Sequence, residues 1–206
     1  MKNLEGNHIE TTSTRENILQ AAAKLFATTG YHQTSLRALT QEAGVNIAAV
    51  NYHFRTKEGL LHILIRQEVK LLQANFLAKL EALEVSHKGL KAPDILECLA
   101  RALLQKPGAT DQGDLRFLSI LGCDPDKKIQ KICREPLNLF YGQVLILLRP
   151  TLPHLSEKSI HWRFNFFLGA LTRTVWMLNT ESDSELTFEK DPDFIEMRVV
   201  LTRLFE

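Results

Sequence analysis

Residues 46–53 place side chains that can form hydrogen bonds next to side chains that are small. The segment reads NIAAVNYH and contains no acidic residue. Its two asparagines, its tyrosine and its histidine supply amide, hydroxyl and imidazole groups, and its alanines offer only methyl groups. On a helix, the small residues would let the backbone come close to another surface. The segment therefore has the chemistry to recognise a surface rich in hydrogen-bonding groups.

The major groove of DNA is a surface of this kind. It admits one helix and presents base edges that amides can read, together with thymine methyl groups. At about 100° per residue, Ile47, Val50 and Phe54 fall in one sector and are expected to form the core face. We expect DNA contacts from the residues opposite this core face, from those at its two borders and from the residue just before the helix. These residues are Asn46, Ala48, Ala49, Asn51, Tyr52 and His53.

The flanking segments offer groups that suit phosphate. Arg37 lies on the flank of the preceding helix, and Glu42 projects roughly opposite to it. The amino ends of two helices, at Thr34–Ser35 and at Thr56–Lys57, provide backbone N–H groups that bind phosphate oxygens. Thr34, Ser35, Arg37 and Lys57 are therefore further candidate DNA contacts.

Helix-start and helix-stop residues divide residues 13–60 into three short helices and the beginning of a long one. The predicted starts are a capping box at Ser13–Glu16 and caps at Thr34, Asn46 and Thr56, and the predicted stops are Gly30 and Gly44. This arrangement predicts a helix-turn-helix domain over residues 13–57. The polar residues 1–12 are expected to form a mobile arm.

The remainder, residues 58–206, also shows helical periodicity, and we find no strand pattern in it. The predicted fold class is therefore all-α, with an N-terminal three-helix domain followed by a larger helical domain. Residues 115–122 read as a short apolar helix. Pro136 is expected to break or kink the helix in which it lies.

One predicted helix, residues 156–178, is apolar on nearly every side. Phe164, Phe167 and Leu171 lie on one face, and Trp162 and Phe166 lie elsewhere around the helix. A helix of this type must be covered on both faces. We expect one face to pack in its own domain and the other to pack against a second copy of the chain. An ordinary core helix in a monomer is the alternative.

The segment RENILQAAAKLFATTGYHQTSLRALTQEAGVNIAAVNYHFRTKEGLL closely resembles the DNA-binding domain of TetR-family repressors. The matching positions include Phe26, Gly30–Tyr31, Ala43–Val45, Tyr52 and Lys57. The family often has tyrosine where this chain has Asn51. The resemblance implies an all-helical homodimer with an N-terminal domain that binds an operator in double-stranded DNA. It also implies a C-terminal domain that binds a small-molecule effector and forms the dimer.

Two segments, TSLRALTQEAGVNIAAVNYHF and HWRFNFFLGA, are also similar to the PsrA-type subgroup, whose members respond to long-chain fatty acids. This similarity implies a small hydrophobic effector, such as a long-chain fatty acid or an acyl derivative. Candidate effector contacts are Arg116, Phe117, Phe140, Arg163, Phe166 and Phe167. Aromatic residues of this kind are more often plain core than ligand contacts. The arginines could pair with glutamates, or one could bind a carboxylate.

Other classes of protein find little support. The three cysteines are far apart and suggest buried thiols in a reducing cytoplasm. The sequence has no catalytic motif, no metal-ligand spacing and no cofactor-binding motif, so we expect no enzyme, metal or cofactor. No apolar run approaches the roughly 20 residues that span a membrane, and we expect no signal peptide at the N-terminus. A helical dimeric adaptor with a vestigial DNA-binding head is the alternative function.

Overall fold

The computed structural model describes residues 4–86, 89–104 and 124–180, together with Val199, Arg203 and Phe205. The regular structure in these ranges consists of α-helices and one short 3-10 helix, Arg149–Thr151. The α-helices are α1 (Leu4–Thr28), α2 (Leu36–Ala43), α3 (Ile47–Phe54), α4 (Lys57–Ser86), α5 (Ala92–Leu104), α6 (Lys127–Leu148) and α7 (Glu157–Thr180). The predicted all-α fold class is confirmed. The helix predicted for residues 115–122 lies outside the described residues.

The helices group into two compact units, and the division falls inside α4, between Glu68 and Val69. The first unit contains α1, α2, α3 and the beginning of α4. The second contains the rest of α4 together with α5, α6 and α7. The sequence prediction divided the chain at the start of α4, after residue 57. The long helix instead contributes to both units.

Helix α1 forms much of the core of the first unit. Ile18, Ala22 and Phe26 are buried at the helical spacing that the sequence predicts. The helix begins at Leu4, so residues 4–12 belong to it. The predicted start at Ser13 is therefore wrong. A capping box marks a start only where its first residue leaves helical geometry, and the polar residues before it allow the helix to continue.

The start of α2 also differs by one residue from the prediction. The side chain of Ser35, not that of Thr34, caps the helix by accepting a hydrogen bond from the Ala38 N–H at 3.1 Å. Gly44 ends the helix in the left-handed conformation, with φ of 65°. This stop matches the prediction, because glycine adopts positive φ without the steric cost of a Cβ.

The caps of the next two helices are confirmed. The Asn46 side-chain oxygen accepts a hydrogen bond from the Ala49 N–H at 2.9 Å, and α3 follows. The Thr56 hydroxyl accepts a hydrogen bond from the Gly59 N–H at 3.0 Å at the start of α4. Local polar side chains thus decide where the short helices of the first unit begin.

In the second unit, α6 is one helix from Lys127 to Leu148 and passes through Pro136. The predicted break at this proline is therefore wrong. Proline removes one backbone hydrogen bond, but burial of one face of α6, including Cys133, Leu137 and Phe140, compensates for that loss. Helix α7 starts where the Ser156 hydroxyl accepts from the Ser159 N–H, as predicted.

Candidate nucleic-acid interface

Helix α3 buries one side and exposes the other. Val50 and Phe54 are 1% and 4% exposed and lie in the core of the first unit. The exposed side chains, which we term the outer face, are Ile47, Ala48, Asn51 and Tyr52. They occupy a continuous sector of about 140° on a helix of 100° per residue. The outer face carries an amide, a phenol and aliphatic groups, and no negative charge.

One residue of the predicted core face belongs to the outer face instead. Ile47 is 52% exposed, so its assignment to the core is wrong. Periodicity treats every turn of a helix as equally covered, whereas burial of the first residue depends on which neighbours reach it. Compared with the predicted outer side, the exposed sector is rotated around the helix toward Ile47. Asn51 lies near its centre, and Ala49 and His53 are half-buried at the edge farthest from Ile47.

The aromatic residues at the end of α3 contact one another. Tyr52 is 79% exposed, and its ring meets the His53 ring edge-on at a centroid distance of 5.0 Å. The His53 ring in turn lies 6.0 Å from that of the buried Phe54. His53 therefore supports the orientation of the tyrosine, whose hydroxyl is the more accessible of the two polar groups.

Helix α2 presents its basic residue to solvent and pairs its acidic one. Arg37 is exposed. Glu42 forms an ion pair with Lys24 of α1, with 2.6 Å between the carboxylate oxygen and Nζ. This hydrogen bond and the charge of Glu42 raise the pKa of Lys24. The acid is thus balanced by α1, and Arg37 remains as the exposed charge of α2.

The amino ends of α2 and α4 are suited to anions. The first N–H groups of a helix have no carbonyl acceptor within the helix, and Ser35 and Thr56 each satisfy only one of them. The remaining N–H groups form the usual site for a phosphate oxygen.

Thr34 does not share this role. It is 2% exposed, and its hydroxyl donates a hydrogen bond to the Gly30 carbonyl oxygen at 2.8 Å. The backbone N–H of Thr34, the group predicted to bind phosphate, donates to the same Gly30 carbonyl oxygen at 3.2 Å, so neither polar group of this residue is left for DNA.

Lys57, the first residue of α4, is anchored to the loop that follows α1. Its ammonium group donates a hydrogen bond to the Tyr31 carbonyl oxygen and lies 4.2 Å from the centroid of the Tyr31 ring. Partial burial lowers the pKa of this lysine. Lys57 therefore has a structural contact that its sequence position did not reveal, in addition to its place at the start of α4.

The turn between α3 and α4 has an unusual backbone. Arg55 has φ of 64° and ψ of −51°, and the Thr56 N–H donates to the Phe54 carbonyl oxygen at 2.7 Å. These values describe a γ-turn of the rare, strained type. Gly59 lies against this turn, because a Cβ on it would be 2.3 Å from the Phe54 carbonyl oxygen. The turn thus needs glycine at the third residue of α4.

A further cation lies near this turn. The guanidinium carbon of Arg15, on α1, is 5.8 Å from the centroid of the Phe54 ring. This contact adds a basic group close to the end of α3. No local sequence pattern indicates this contact, because Arg15 and Phe54 are far apart in the chain.

Two of the predicted effector residues lie in an aromatic cluster of the second unit. The cluster consists of Phe76, Phe140, Tyr141, Phe164, Phe167 and Phe205. Phe140 and Phe167 are each 2% exposed. Successive rings in this cluster are 5.6–6.5 Å apart. Phe140 and Phe167 thus belong to the core of the unit.

The other predicted effector residues fall elsewhere. Phe166 is 64% exposed on a different face of α7 from the buried Phe167, so it lies outside the aromatic cluster, and its contact with an effector stays a prediction. It pairs with Trp162, which is 60% exposed, at a ring distance of 6.1 Å. Arg163 is half-buried between these two faces. Arg116 and Phe117 lie outside the described residues.

Side chains suited to other chemistry are scarce in the described ranges. They contain no group of histidine, cysteine or acidic residues that could hold a metal ion. Burial raises the pKa of Cys98 to about 11 and that of Cys133 to about 12, so both are inert thiols. This agrees with the prediction of buried cysteines; Cys123 lies outside the described residues. Among the helices described, none has the length and hydropathy of a membrane span.

Comparison with known protein families gives two matches along the chain. Residues 18–64 match the family of bacterial regulatory proteins of the tetR type. Residues 97–198 match a tetracyclin repressor-like C-terminal domain. The first match contains all of α2 and α3, and the second contains α6 and α7.

Individual relatives agree with these matches. The regulator UidR of Escherichia coli strain K12 is 28% identical over 80 residues, which are 39% of this chain and 41% of UidR. The repressor Rv1474c of Mycobacterium tuberculosis is 36% identical over 90 residues, or 43% and 47% of the two chains. This chain thus spans less than half the length of these curated relatives. The solved structure of FadR from Bacillus subtilis shares the fold, with a TM-score of 0.64, 18% identity and coverage of 93% and 97%.

Proposed function

Because this chain belongs to the TetR family of bacterial regulatory proteins, we propose that it is a repressor that binds an operator as a homodimer. We further propose that a small hydrophobic effector, bound in the second unit, releases it from DNA. The outer face of α3 is the observation that carries the first proposal. The aromatic cluster of the second unit supports the other.

Recognition of DNA is assigned to the outer face and to the helix ends around it. Ala48, Asn51 and Tyr52 are exposed side by side, without an acid among them. Asparagine can bind adenine through two hydrogen bonds in the major groove, and a methyl group can contact thymine. Ser35, Arg37 and Lys57 lie on the flanking helix ends, where contacts to phosphate would set the register of the protein on the duplex.

A homodimer is supported by the outward side of α7. Trp162 and Phe166 are 60% and 64% exposed. Large aromatic side chains that are exposed next to each other form an apolar patch, and such patches mark sites where another protein binds. Gly169, one turn beyond Phe166 on α7, has no atom within 4 Å of where a Cβ would be. A second copy of the helix could therefore approach closely. Two copies of α3 could then enter successive major grooves, about 34 Å apart.

Selection of bound sequences from random duplex DNA tests the proposal directly. We expect an enriched sequence with two inverted half-sites about one helical turn apart. Affinity for it should fall steeply with salt, because each phosphate contact releases counterions. Failure to enrich any sequence would remove the proposal and would favour a helical dimeric adaptor whose DNA-binding head is vestigial.

The effector is proposed to be a long-chain fatty acid or an acyl derivative, as in PsrA-type regulators. The support is chemical: the core of the second unit is rich in phenylalanine, and Phe140 and Phe167 could contact an acyl chain with little change of polarity. Half-buried Arg163 offers a charge of the right sign for a carboxylate. FadR from Bacillus subtilis, which has the same fold, was solved with stearoyl-CoA.

Titration of the protein–DNA complex with fatty acids of increasing length tests this assignment. Oleate is expected to release the DNA at lower concentration than octanoate, because each additional buried CH₂ adds about 0.8 kcal/mol. The effector must bind the DNA-free form better than the bound form to have this effect. If no acid binds or releases DNA, the effector class is wrong, and the DNA-binding proposal is unaffected.

A further inference from the structure

Ile47 is a large apolar side chain in a position where helix stability does not call for one. It is the first residue of α3 and is 52% exposed. The first turn of a helix favours acidic residues, which interact with the helix dipole, and isoleucine is not among the best helix formers. An acid here would also repel phosphate. Neither burial nor local helix stability therefore explains the isoleucine.

The chain entry into α3 does not depend on Ile47 either. Where an apolar contact fixes the start of a helix, it joins the residue before the cap to the fourth residue of the helix. In this chain those residues are Val45 and Val50, which are half-buried and buried. Ile47 is thus left available for a contact outside the protomer.

The neighbours of Ile47 on the outer face indicate what that contact is. Asn51 lies four residues later, and side chains at this spacing are adjacent on a helix surface, about 5–6 Å apart. Ala48 is small, so it does not shield the isoleucine. Within the major groove the distinctive apolar group is the C5-methyl of thymine. Resting on the proposed function, we propose that Ile47 contacts a thymine methyl group and selects an A·T pair at one position of each half-site.

Replacement of thymine by deoxyuridine in the selected operator tests this contact, because it removes the methyl group and keeps every hydrogen bond. At one position in each half-site, this change should weaken binding of the wild-type protein by about threefold to fivefold, as loss of one buried methyl predicts. The Ile47→Ala protein should bind the thymine and deoxyuridine operators equally at that position. Val85→Ala, a change at a side chain that is 91% exposed on α4, should leave the wild-type pattern intact.

The outcomes separate the inference from the proposed function. In one outcome, the wild-type protein enriches an operator, but at every position deoxyuridine weakens binding of Ile47→Ala as much as binding of the wild type. The thymine contact is then wrong, and the DNA-binding function stands. If Ile47→Ala loses all binding because it unfolds, Ile47→Val provides the comparison, and it should show a reduced deoxyuridine effect at the same position. If the wild-type protein enriches no operator, both proposals fall.

Discussion

The ammonium group of Lys57 lies 4.2 Å from the centroid of the Tyr31 ring and donates a hydrogen bond to the carbonyl oxygen of the same residue. Tyr31 is 7% exposed, and its ring packs edge-on against Phe26 of α1 at 5.2 Å. One side chain thereby connects the start of α4 to the loop after α1. The amino end of α4, a candidate phosphate site, is held in place by the core of the first unit.

Replacement of Lys57 by alanine is expected to affect both stability and DNA binding. Loss of the contact with Tyr31 should lower the free energy of unfolding by about 1 kcal/mol, as for other partly desolvated cation–π pairs. Loss of the charge should weaken binding to all DNA sequences alike. Thermal unfolding and fluorescence anisotropy measure the two effects. An unchanged melting temperature would contradict the structural role of Lys57, and Lys57→Arg should retain most of the DNA binding.

Replacement of Tyr52 by alanine should weaken operator binding without changing stability. Tyr52 is 79% exposed, so its removal should alter the free energy of unfolding by less than about 0.5 kcal/mol. A lost hydrogen bond to phosphate or to a base should reduce affinity by about tenfold. Tyr52→Phe separates the hydroxyl from the ring. Circular dichroism that showed Tyr52→Ala to be unfolded would mean that the outer face is wrongly assigned.

An acid on the outer face should abolish binding by repulsion. Ala48 is exposed between Asn51 and Tyr52 on the outer face, so Ala48→Glu places a carboxylate where phosphate and base acceptors lie. Like charges in an interface cost several kcal/mol, so affinity should fall by about a hundredfold or more. Ala78→Glu makes the same change at an exposed position of α4 and should bind DNA normally. Equal affinities for the two variants would exclude α3 from the DNA interface.

Gly59 is expected to tolerate no side chain. A Cβ at this position would be 2.3 Å from the Phe54 carbonyl oxygen, within the strained turn that joins α3 to α4. Gly59→Ala should therefore lower the free energy of unfolding by about 1–3 kcal/mol, which is the range for overpacking. Gly142→Ala is the matched control, because the same Cβ in α6 meets no atom within 4 Å. Urea denaturation should rank Gly142→Ala at or above the wild type and Gly59→Ala clearly below it.

A charge on the outward side of α7 should prevent dimer formation. Phe166 is 64% exposed in the protomer and pairs with Trp162, so Phe166→Glu would bury a carboxylate in the proposed interface. Sedimentation velocity should show a dimer for the wild type and a monomer for this variant. The control Val85→Glu, at a side chain that is 91% exposed, should remain a dimer. A wild-type monomer at micromolar concentration would contradict the proposed interface.

The helical fold and most helix limits in the first unit could be predicted from the sequence, because the signals for them are local. Asn46 and Thr56 cap their helices through side chains that bond to backbone groups three residues later. Gly44 stops α2 through its own backbone freedom. Where two neighbouring residues could each cap, as at Thr34 and Ser35, local chemistry did not distinguish them, and burial of Thr34 decided the matter.

Local patterns in the chain were thus enough to predict most of the helices and the uncharged, hydrogen-bonding character of the outer face of α3. Those patterns do not predict which individual side chains are accessible, because accessibility depends on neighbours that are distant in the chain and meet only in the folded protein. Ile47 is exposed although its periodicity assigns it to the core, and Phe166 faces away from the aromatic cluster that contains Phe167. The contact of Lys57 with Tyr31 joins residues that are 26 positions apart, and no local pattern records such a contact.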